Sequence, residues 1–302
     1  IDMQWVMRYN PGAVAYIWQG GQEGCRGVLD VLNGTVNPCG KLPDTIACTP
    51  ADYPAADHYG ADDRNIYAED IYVGYRYFET FAPEKVLYPF GFGLSYTKFE
   101  VRLLSADETA DGITAFADVQ NTGSCPGKEV VQLYVADCTG TTGRPPKELR
   151  KFVKVKLEPG EEKQVEFTLT AQDLSYYDET LGSWYAAPGE YKILLGHSSR
   201  DIHATLSVRF STPRRRPFVI DENTTIGELS KDDRTAAIIQ QVLAQAGNAL
   251  TGGNAGGSEI ASSEAVAQML DSMPLRGIVN YSGTAAAGMT SPLPVILRTN
   301  FQ

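Results

Sequence analysis

The stretch that decides the fold spans residues 67–97 and reads YAEDIYVGYRYFETFAPEKVLYPFGFGLSYT. It sets many aromatic rings beside several glycines, most densely from Tyr88 to Thr97. Large rings bury much surface, and glycines let a backbone turn tightly or approach another closely. The composition therefore predicts a buried segment that ties one domain to the next, called the strap below.

Around the strap, the size and charge of the chain narrow the possible partners. A chain of 302 residues is long enough for two or three domains. No run of eighteen apolar residues occurs, which argues against a membrane span. The net charge of −11 disfavours nucleic acid and anionic membrane surfaces, which need a basic footprint. A neutral sugar is compatible with this net charge.

The cysteines and histidines predict no metal and no cofactor. The chain has five cysteines: Cys25, Cys39, Cys48, Cys125 and Cys138. Their odd number and the lack of CxxC spacing favour free thiols in a reducing compartment such as the cytoplasm. The alternative is a disulfide between two of them. Three isolated histidines, His58, His197 and His203, do not form a zinc-binding pattern.

The residues before the strap predict half of a βαβ unit. Val14–Trp18 is a short apolar run between glycine turns, as in a buried parallel strand. A helix is expected over residues 22–33, with Gly34 just past its end. The first residues read as the interior of a domain, so we expect this chain to be part of a longer one.

Gln22 and Glu23 are the candidate site residues, because their turn follows the carboxyl end of the predicted strand, where ligand crevices open. A phosphate-cradling loop is disfavoured, since the spacing is not G-x-G-x-x-G and Glu23 would repel a phosphate. Gln22 and Glu23 could instead hydrogen-bond a substrate or position a loop that does. They could also cap the start of the helix, where the positive end of the helix dipole stabilises a carboxylate.

Beyond Phe99 the hydrophobic period changes to two. Short strands separated by turn signals are predicted over residues 99–104, 113–120, 129–136, 151–156, 163–169, 182–186, 191–197 and 202–210. Strands of this number and spacing indicate an immunoglobulin-like sandwich.

The last ninety residues predict a helical tail. A short basic linker, Arg214–Arg216, precedes a helix expected to begin at Ser230. Gly252–Ser258 reads as a flexible link, and a second helix is expected over Ser262–Leu270. Large apolar residues are few, so this tail is expected to pack on another domain.

The strap resembles the end of the second domain of glycoside hydrolase family 3, the β-glucosidase and β-xylosidase family. That pattern, Tyr-x-Glu-x-Ile-x-Val-Gly-Tyr-Arg-Tyr then Tyr-Pro-Phe-Gly-x-Gly-Leu-Ser-Tyr-Thr-x-Phe, matches at residues 67–77 and 88–99. Upstream, Gly-Gln-Glu and Asn-Pro-x-Gly-Lys-Leu-Pro-x-Thr match at residues 21–23 and 37–45, although Cys39 stands where the family usually has Ser.

The resemblance extends past the strap. Family 3 enzymes often carry a fibronectin type III-like domain, whose Asn-Thr-Gly, Gly-x-Glu-Val-x-Gln-Leu-Tyr-Val and Pro-x-Lys-Glu-Leu-x-x-Phe motifs match at residues 121–123, 127–135 and 145–152. The implied fold is α/β followed by all-β. It comprises the carboxyl-terminal part of an α/β sandwich domain (1–97), a fibronectin type III-like β-sandwich (98–212), and a linker with a small helical extension (213–302).

The implied function is part of a retaining β-glucosidase-like enzyme that hydrolyses terminal non-reducing β-D-glycosyl residues. Such enzymes need two carboxyl groups about 5–5.5 Å apart. In the family, the nucleophilic Asp lies on an amino-terminal barrel and the acid/base Glu lies upstream of the Gly-Gln-Glu turn. Neither stretch occurs here, so no catalytic residue is expected in this chain, and Glu69 and Arg76 are expected to pair with other side chains.

The implied partners are a β-linked oligosaccharide or glucoside and the barrel-bearing remainder of the enzyme, in the same chain or a separate one. An oligomer is possible. One alternative is a noncatalytic carbohydrate-binding or scaffold module, for which the aromatic cluster is Tyr176, Tyr177, Trp184 and Tyr185. Another is a nucleotide-binding α/β protein.

Overall fold

The structure is a computed structural model that describes residues 2–58, 60, 63–64, 66–141, 143–179, 181–212, 220–221, 223–232, 235–240 and 271–276. The chain forms two compact units, residues 1–216 and 217–302.

The first part of unit one holds short helices and a small sheet. Helix α1 spans Gln4–Met7, helix α2 spans Gly24–Leu32, and helix α3 spans Tyr75–Phe81 within the strap. Strand β1 (Ile46–Ala47) pairs antiparallel with strand β2 (Val86–Tyr88). Three single 3₁₀ turns lie between these elements, at Pro50–Asp52, Pro54–Asp57 and Pro83–Lys85.

The prediction of a buried strand over Val14–Trp18 is wrong for this structure. Residues 14–18 have no strand conformation, and Val14, Ile17 and Trp18 are exposed. A parallel strand requires hydrogen-bonded neighbours, and no segment of the described residues pairs with this one. The helix after it forms as expected, α2 being slightly shorter than predicted, and Gly34 follows its end at φ 81°.

The middle of the strap forms helix α3. Gly74, at φ 60°, precedes α3, and Phe78 of this helix is fully buried against Ala47 and Ala82. Arg76 also lies on this helix, whereas Glu69 precedes it.

Residues 99–210 form the predicted sandwich. Its strands are β3 (Phe99–Thr109), β4 (Gly112–Asn121), β5 (Gly127–Asp137), β6 (Glu148–Leu157), β7 (Glu162–Thr170), β8 (Tyr176–Asp178), β9 (Ser183–Tyr185), β10 (Gly189–Gly196) and β11 (Ile202–Phe210). One sheet has the order β11-β10-β5-β6 and the other β3-β4-β7, all antiparallel, while β8 and β9 form a separate hairpin.

Alternating side chains fill the space between the two sheets. On β4, Ile113, Ala115 and Ala117 are fully buried, and on β10 Ile193 and Leu195 are buried too. All eight predicted strands form within a few residues of their expected bounds. The sequence missed β8 and the short helix α4 (Ala171–Leu174), which Thr170 and Asp173 cap reciprocally.

Unit two has a small apolar cluster of its own. Helix α5 spans Ile226–Lys231, begins at a capping box of Thr225 and Glu228, and was not predicted from the sequence. The helix expected to open at Ser230 begins a few residues later: residues 236–240 are helical, and the Ala236 N–H donates to the Asp232 carbonyl at 2.9 Å. Ile226, Leu229 and Ile239 pack together, with Ile220, Met273 and Leu275 beside them. The expected Gly252–Ser258 link and Ser262–Leu270 helix lie outside the described residues.

None of the helices in the described part of the chain has the length and apolar character needed to span a bilayer. All five cysteines are free thiols.

Candidate active-site wall and the junction with the sandwich

The Gln22–Glu23 turn lies at the start of helix α2. Glu23 is the N-cap residue, but its side chain makes no capping hydrogen bond. Its carboxylate lies 3.7 Å from the Arg26 guanidinium, and both side chains are exposed. Just before the turn, Trp18 has φ 53° and its ring contacts that of Tyr16, with 4.4 Å between centroids. Glu23 therefore places its charge at the helix start and leaves its oxygens accessible.

Helix α3 is held by three consecutive residues of the sandwich. Lys147 Nζ lies 3.3 Å from Glu79 Oε2, and Glu148 Oε1 lies 3.5 Å from Arg76 Nη1. The Leu149 N–H donates to the Tyr75 hydroxyl at 2.7 Å. The Pro-x-Lys-Glu-Leu motif thus binds one face of α3, and these contacts are called the α3 clamp below.

Glu148 is the charged centre of the α3 clamp. Its Oε2 accepts hydrogen bonds from Arg144 and Arg150, each at 2.7 Å. Burial alone would raise the pKa of Glu148, but the charges of Arg150 and Arg144 outweigh it and hold this pKa below its ordinary value. The expectation that Arg76 pairs with another side chain is met. No partner for the Glu69 carboxylate is found among the described residues.

A second buried carboxylate joins the region before the strap to the sandwich. Glu129 Oε1, on β5, lies 2.8 Å from Lys41 Nζ and accepts a hydrogen bond from His197 Nδ1 at 3.0 Å. Burial alone would raise the pKa of Glu129, but the hydrogen bond from His197 and the charge of Lys41 lower it below its ordinary value. Lys41 also donates to the Gly93 carbonyl at 3.1 Å.

The glycine-rich end of the strap lies directly on the outer face of β5. Gln132 Nε2 donates to the carbonyls of Gly91 and His197, at 3.1 and 2.6 Å, and the Tyr134 hydroxyl donates to Gln132 Oε1 at 2.6 Å. Gly91 has φ 80°, and a Cβ there would lie 2.1 Å from Gln132 Oε1. Only glycine therefore fits this contact.

Two asparagines complete the junction. Asn37 donates to the Pro126 carbonyl at 3.0 Å and accepts from the Tyr96 N–H at 2.8 Å. Asn121, fully buried, accepts from the Thr97 hydroxyl at 2.7 Å and donates to the Leu157 carbonyl at 3.1 Å. The Asn-Pro and Asn-Thr-Gly motifs therefore connect the strap to the sandwich. The predicted burial of the strap is only partial, since Leu94 and Tyr96 in this stretch and Tyr67 at its start are exposed.

Sequence reasoning missed the Lys41–Glu129–His197 group. The available signal was Glu129 itself, a charged residue inside an otherwise apolar strand, which is rarely buried without a partner. Within the described residues, no group of three or more His, Cys, Asp or Glu side chains is arranged to hold a metal ion.

The proposed sugar-binding aromatics divide between two environments. In the β8–β9 hairpin, Tyr177 and Trp184 are cross-strand partners, both more than half exposed, with ring centroids 5.9 Å apart at 82°. Tyr185 is buried, and the ring of Tyr176 lies under the Arg144 guanidinium. The exposed pair is edge-to-face and does not form a flat platform.

Two regions of the chain match known protein domains. Residues 1–96 match the "Glycosyl hydrolase family 3 C-terminal domain", and residues 129–199 match the "Fibronectin type III-like domain". The chain is 39% identical to thermostable β-glucosidase B of Acetivibrio thermocellus, over 93% of this chain and 37% of that protein. It is 44% identical to a β-glucosidase of Ruminococcus albus, over 66% of this chain and 22% of that protein.

Two solved β-glucosidase structures also resemble this chain. A β-glucosidase of Bifidobacterium adolescentis superposes with a TM-score of 0.67 and 36% identity, covering 72% of this chain and 32% of that one. The β-glucosidase of Kluyveromyces marxianus gives a TM-score of 0.61 and 42% identity, covering 64% of this chain and 23% of that one. The chain therefore spans well under half the length of the relatives it matches.

An α/β part joined to a fibronectin type III-like sandwich defines a carboxyl-terminal region of a glycoside hydrolase, and the predicted order of these folds is confirmed. The chain belongs to glycoside hydrolase family 3, of which it is a carboxyl-terminal portion.

Proposed function

We propose that this chain is part of a retaining β-glucosidase that hydrolyses terminal non-reducing β-D-glycosyl residues. The observation that carries the proposal is the 39% identity to a thermostable β-glucosidase over 93% of this chain. In this role the chain supplies one wall of the active site and the junction that fixes this wall to the sandwich. The division at residues 97/98 and 212/213 is part of the same proposal.

The scaffold role is supported by the number and burial of the contacts at the junction. The α3 clamp, the Glu129 group and the Gly91–Gln132 contact each join the first hundred residues to the sandwich. Buried, hydrogen-bonded charge pairs hold one relative geometry, because breaking one leaves an unpaired charge.

The barrel-bearing remainder of the enzyme is the proposed partner of an uncovered apolar surface. The first part of the chain exposes large apolar side chains that soluble proteins usually cover: Trp5, Tyr9, Val14, Tyr16, Ile17, Trp18, Leu29, Leu32 and Val36. A glucoside or β-linked oligosaccharide would then bind where the remainder meets this chain, with Gln22 and Glu23 close to the substrate.

The alternative is a noncatalytic carbohydrate-binding module. It is favoured only by the exposed Tyr177–Trp184 pair, whose edge-to-face arrangement offers little stacking surface to a sugar ring.

Hydrolysis of an aryl β-glucoside tests the proposal. The full-length enzyme that contains this chain should be active, and residues 1–302 alone should be inactive because both catalytic carboxylates lie elsewhere. Activity of the 302-residue chain alone would contradict the assignment.

The role of the turn is tested in the full-length enzyme. Glu23→Gln should raise KM if the carboxylate touches the substrate, whereas Arg26→Gln, which removes its exposed ion-pair partner, should leave KM unchanged. Equal KM values for both variants would leave Glu23 with a structural role only.

A further inference from the structure

A short segment at the start of the strap leaves its apolar side chains uncovered. In residues 66–73, called the arm below, Tyr67 is 89% exposed, and Ile66, Ile71 and Val73 are exposed as well. Single exposed apolar side chains are ordinary, but a contiguous group marks a surface that another protein part covers.

A turn and a ring contact with helix α3 hold the arm in place. The Tyr72 N–H donates to the Glu69 carbonyl at 2.8 Å, which closes a turn through Asp70, and the Tyr72 ring packs against Phe81 of α3 at 4.8 Å. Helix α3 is in turn held by the α3 clamp. An apolar surface on a rigid support is preorganised for binding, because little conformational entropy is lost when a partner arrives.

We infer that the arm is a contact surface for the amino-terminal barrel in the remainder of the full-length enzyme, an inference that rests on the proposed function. The chain spans only 37% of the length of its thermostable β-glucosidase relative, so most of such an enzyme lies outside this chain and can cover the arm. Glu69 and Asp70 lie at the turn between the apolar residues. The complementary surface is therefore apolar, with a cationic or hydrogen-bond-donating group opposite the turn.

The α3 clamp also determines the position of the arm. Because Lys147, Glu148 and Leu149 position α3 and α3 supports the arm, these sandwich residues set where the arm meets its partner. Glu148 is a positioning residue in this account and touches no substrate.

Hydroxyl-radical footprinting of the full-length enzyme tests the contact. Tyr67 is more exposed than Tyr177 in this chain, 89% against 55%, and Tyr177 serves as the internal reference. We expect the order to reverse in the full-length enzyme, with loss of most labelling at Tyr67. Labelling of Tyr67 equal to or above that of Tyr177 overturns the inference, and so does protection that disappears on dilution, which indicates a second copy.

The footprint is independent of activity. Protection of Tyr67 in a full-length protein that hydrolyses no glucoside refutes the proposed function and supports the contact surface. An active enzyme with an unprotected Tyr67 refutes the inference alone.

A pair of variants tests the positioning role. In the full-length enzyme, Glu148→Gln should raise labelling of Tyr67 and change KM for an aryl β-glucoside by about tenfold. A small displacement of the arm would shift the neighbouring active-site wall, and substrate binding and turnover are sensitive to such shifts. Asp173→Asn, which breaks the Lys151–Asp173 pair elsewhere on the sandwich, should change neither quantity even if it lowers thermal stability. Equal effects of both variants on KM and labelling would reduce Glu148 to a stabilising role.

Discussion

Glu129 makes the clearest prediction at the scale of one residue. Its carboxylate is 4% exposed and serves both Lys41 and His197. Glu129→Gln would leave the Lys41 ammonium buried without its counter-charge, and losing one partner of a buried pair costs about 3–5 kcal/mol. We expect a decrease of about 3 kcal/mol in the free energy of unfolding, measured by denaturant titration near neutral pH.

The same residue predicts a pH dependence. Because the pKa of Glu129 is lowered in the folded state, its contribution is fully present above the ordinary value of 4.5 and is lost as the pH falls through the folded-state pKa. On acidification below that ordinary value, the free energy of unfolding should fall more steeply for the unmodified protein than for Glu129→Gln. Parallel pH profiles would contradict this.

Asp70 tests backbone strain in the arm. It has φ 50°, in the left-handed region that Asp and Asn tolerate and β-branched residues do not. Asp70→Val should lower the free energy of unfolding by about 1–2 kcal/mol, while Asp70→Asn should stay within about 0.5 kcal/mol. Since Asp70 is exposed, equal stability of the two variants would mean that its backbone is not held left-handed in solution.

Residue roles were predictable only where they depend on neighbours in sequence. The position of Gln22 and Glu23 at a turn before a helix follows from local glycines and apolar spacing. The Lys41–Glu129–His197 group could not be predicted, because its three members come from distant parts of the chain and only the fold brings them together.

At the scale of elements, Gly93 of the strap and Gly40, which precedes the strap, should differ in how well they tolerate alanine. A Cβ at Gly93 would lie 2.1 Å from the Gly40 carbonyl oxygen, whereas a Cβ at Gly40 would meet no atom of the described residues within 4 Å. Gly93→Ala should therefore lower the free energy of unfolding by about 1–3 kcal/mol, as overpacking does. Gly40→Ala is the matched control and should change it by less than about 0.5 kcal/mol in the same thermal or denaturant measurement. Similar values for both would show that the strap can move away from Gly40.

The elements that the sequence predicted are those whose pattern is local. Alternation in Ile113–Val119 and Tyr191–Leu195 requires one buried face, so β4 and β10 were correctly located. Val14–Trp18 failed because an apolar run becomes a strand only when another strand pairs with it. Helix α3 was missed because aromatic residues and glycines favour strands and turns, and its stability comes from Phe78 and the α3 clamp.

At the scale of the whole molecule, tryptophan fluorescence reports the uncovered surface. All three tryptophans, Trp5, Trp18 and Trp184, are 54–59% exposed. The folded 302-residue chain should therefore emit close to the wavelength of indole in water and be quenched readily by neutral acrylamide. Denaturant should change the emission maximum little while circular dichroism reports loss of the sandwich. A large red shift on unfolding would show that these rings are covered, and its dependence on protein concentration would identify self-association.

The order of the domains was predictable at this scale because the motifs at residues 37–45, 67–99 and 121–152 fall in the order that family 3 uses. Their structural role is visible only in the structure, where Asn37 bonds to Tyr96 and Pro126 and Thr97 bonds to Asn121 at the junction.

The free thiols make that junction measurable by spectroscopy. Cys25 on α2 and Cys138 after β5 are exposed, whereas Cys39, Cys48 and Cys125 are partly buried. With the latter three replaced by alanine, a maleimide donor and acceptor dye could be attached to native positions on either side of the junction. Energy transfer between them would follow the approach and separation of the two parts in real time, without any new attachment point in the chain.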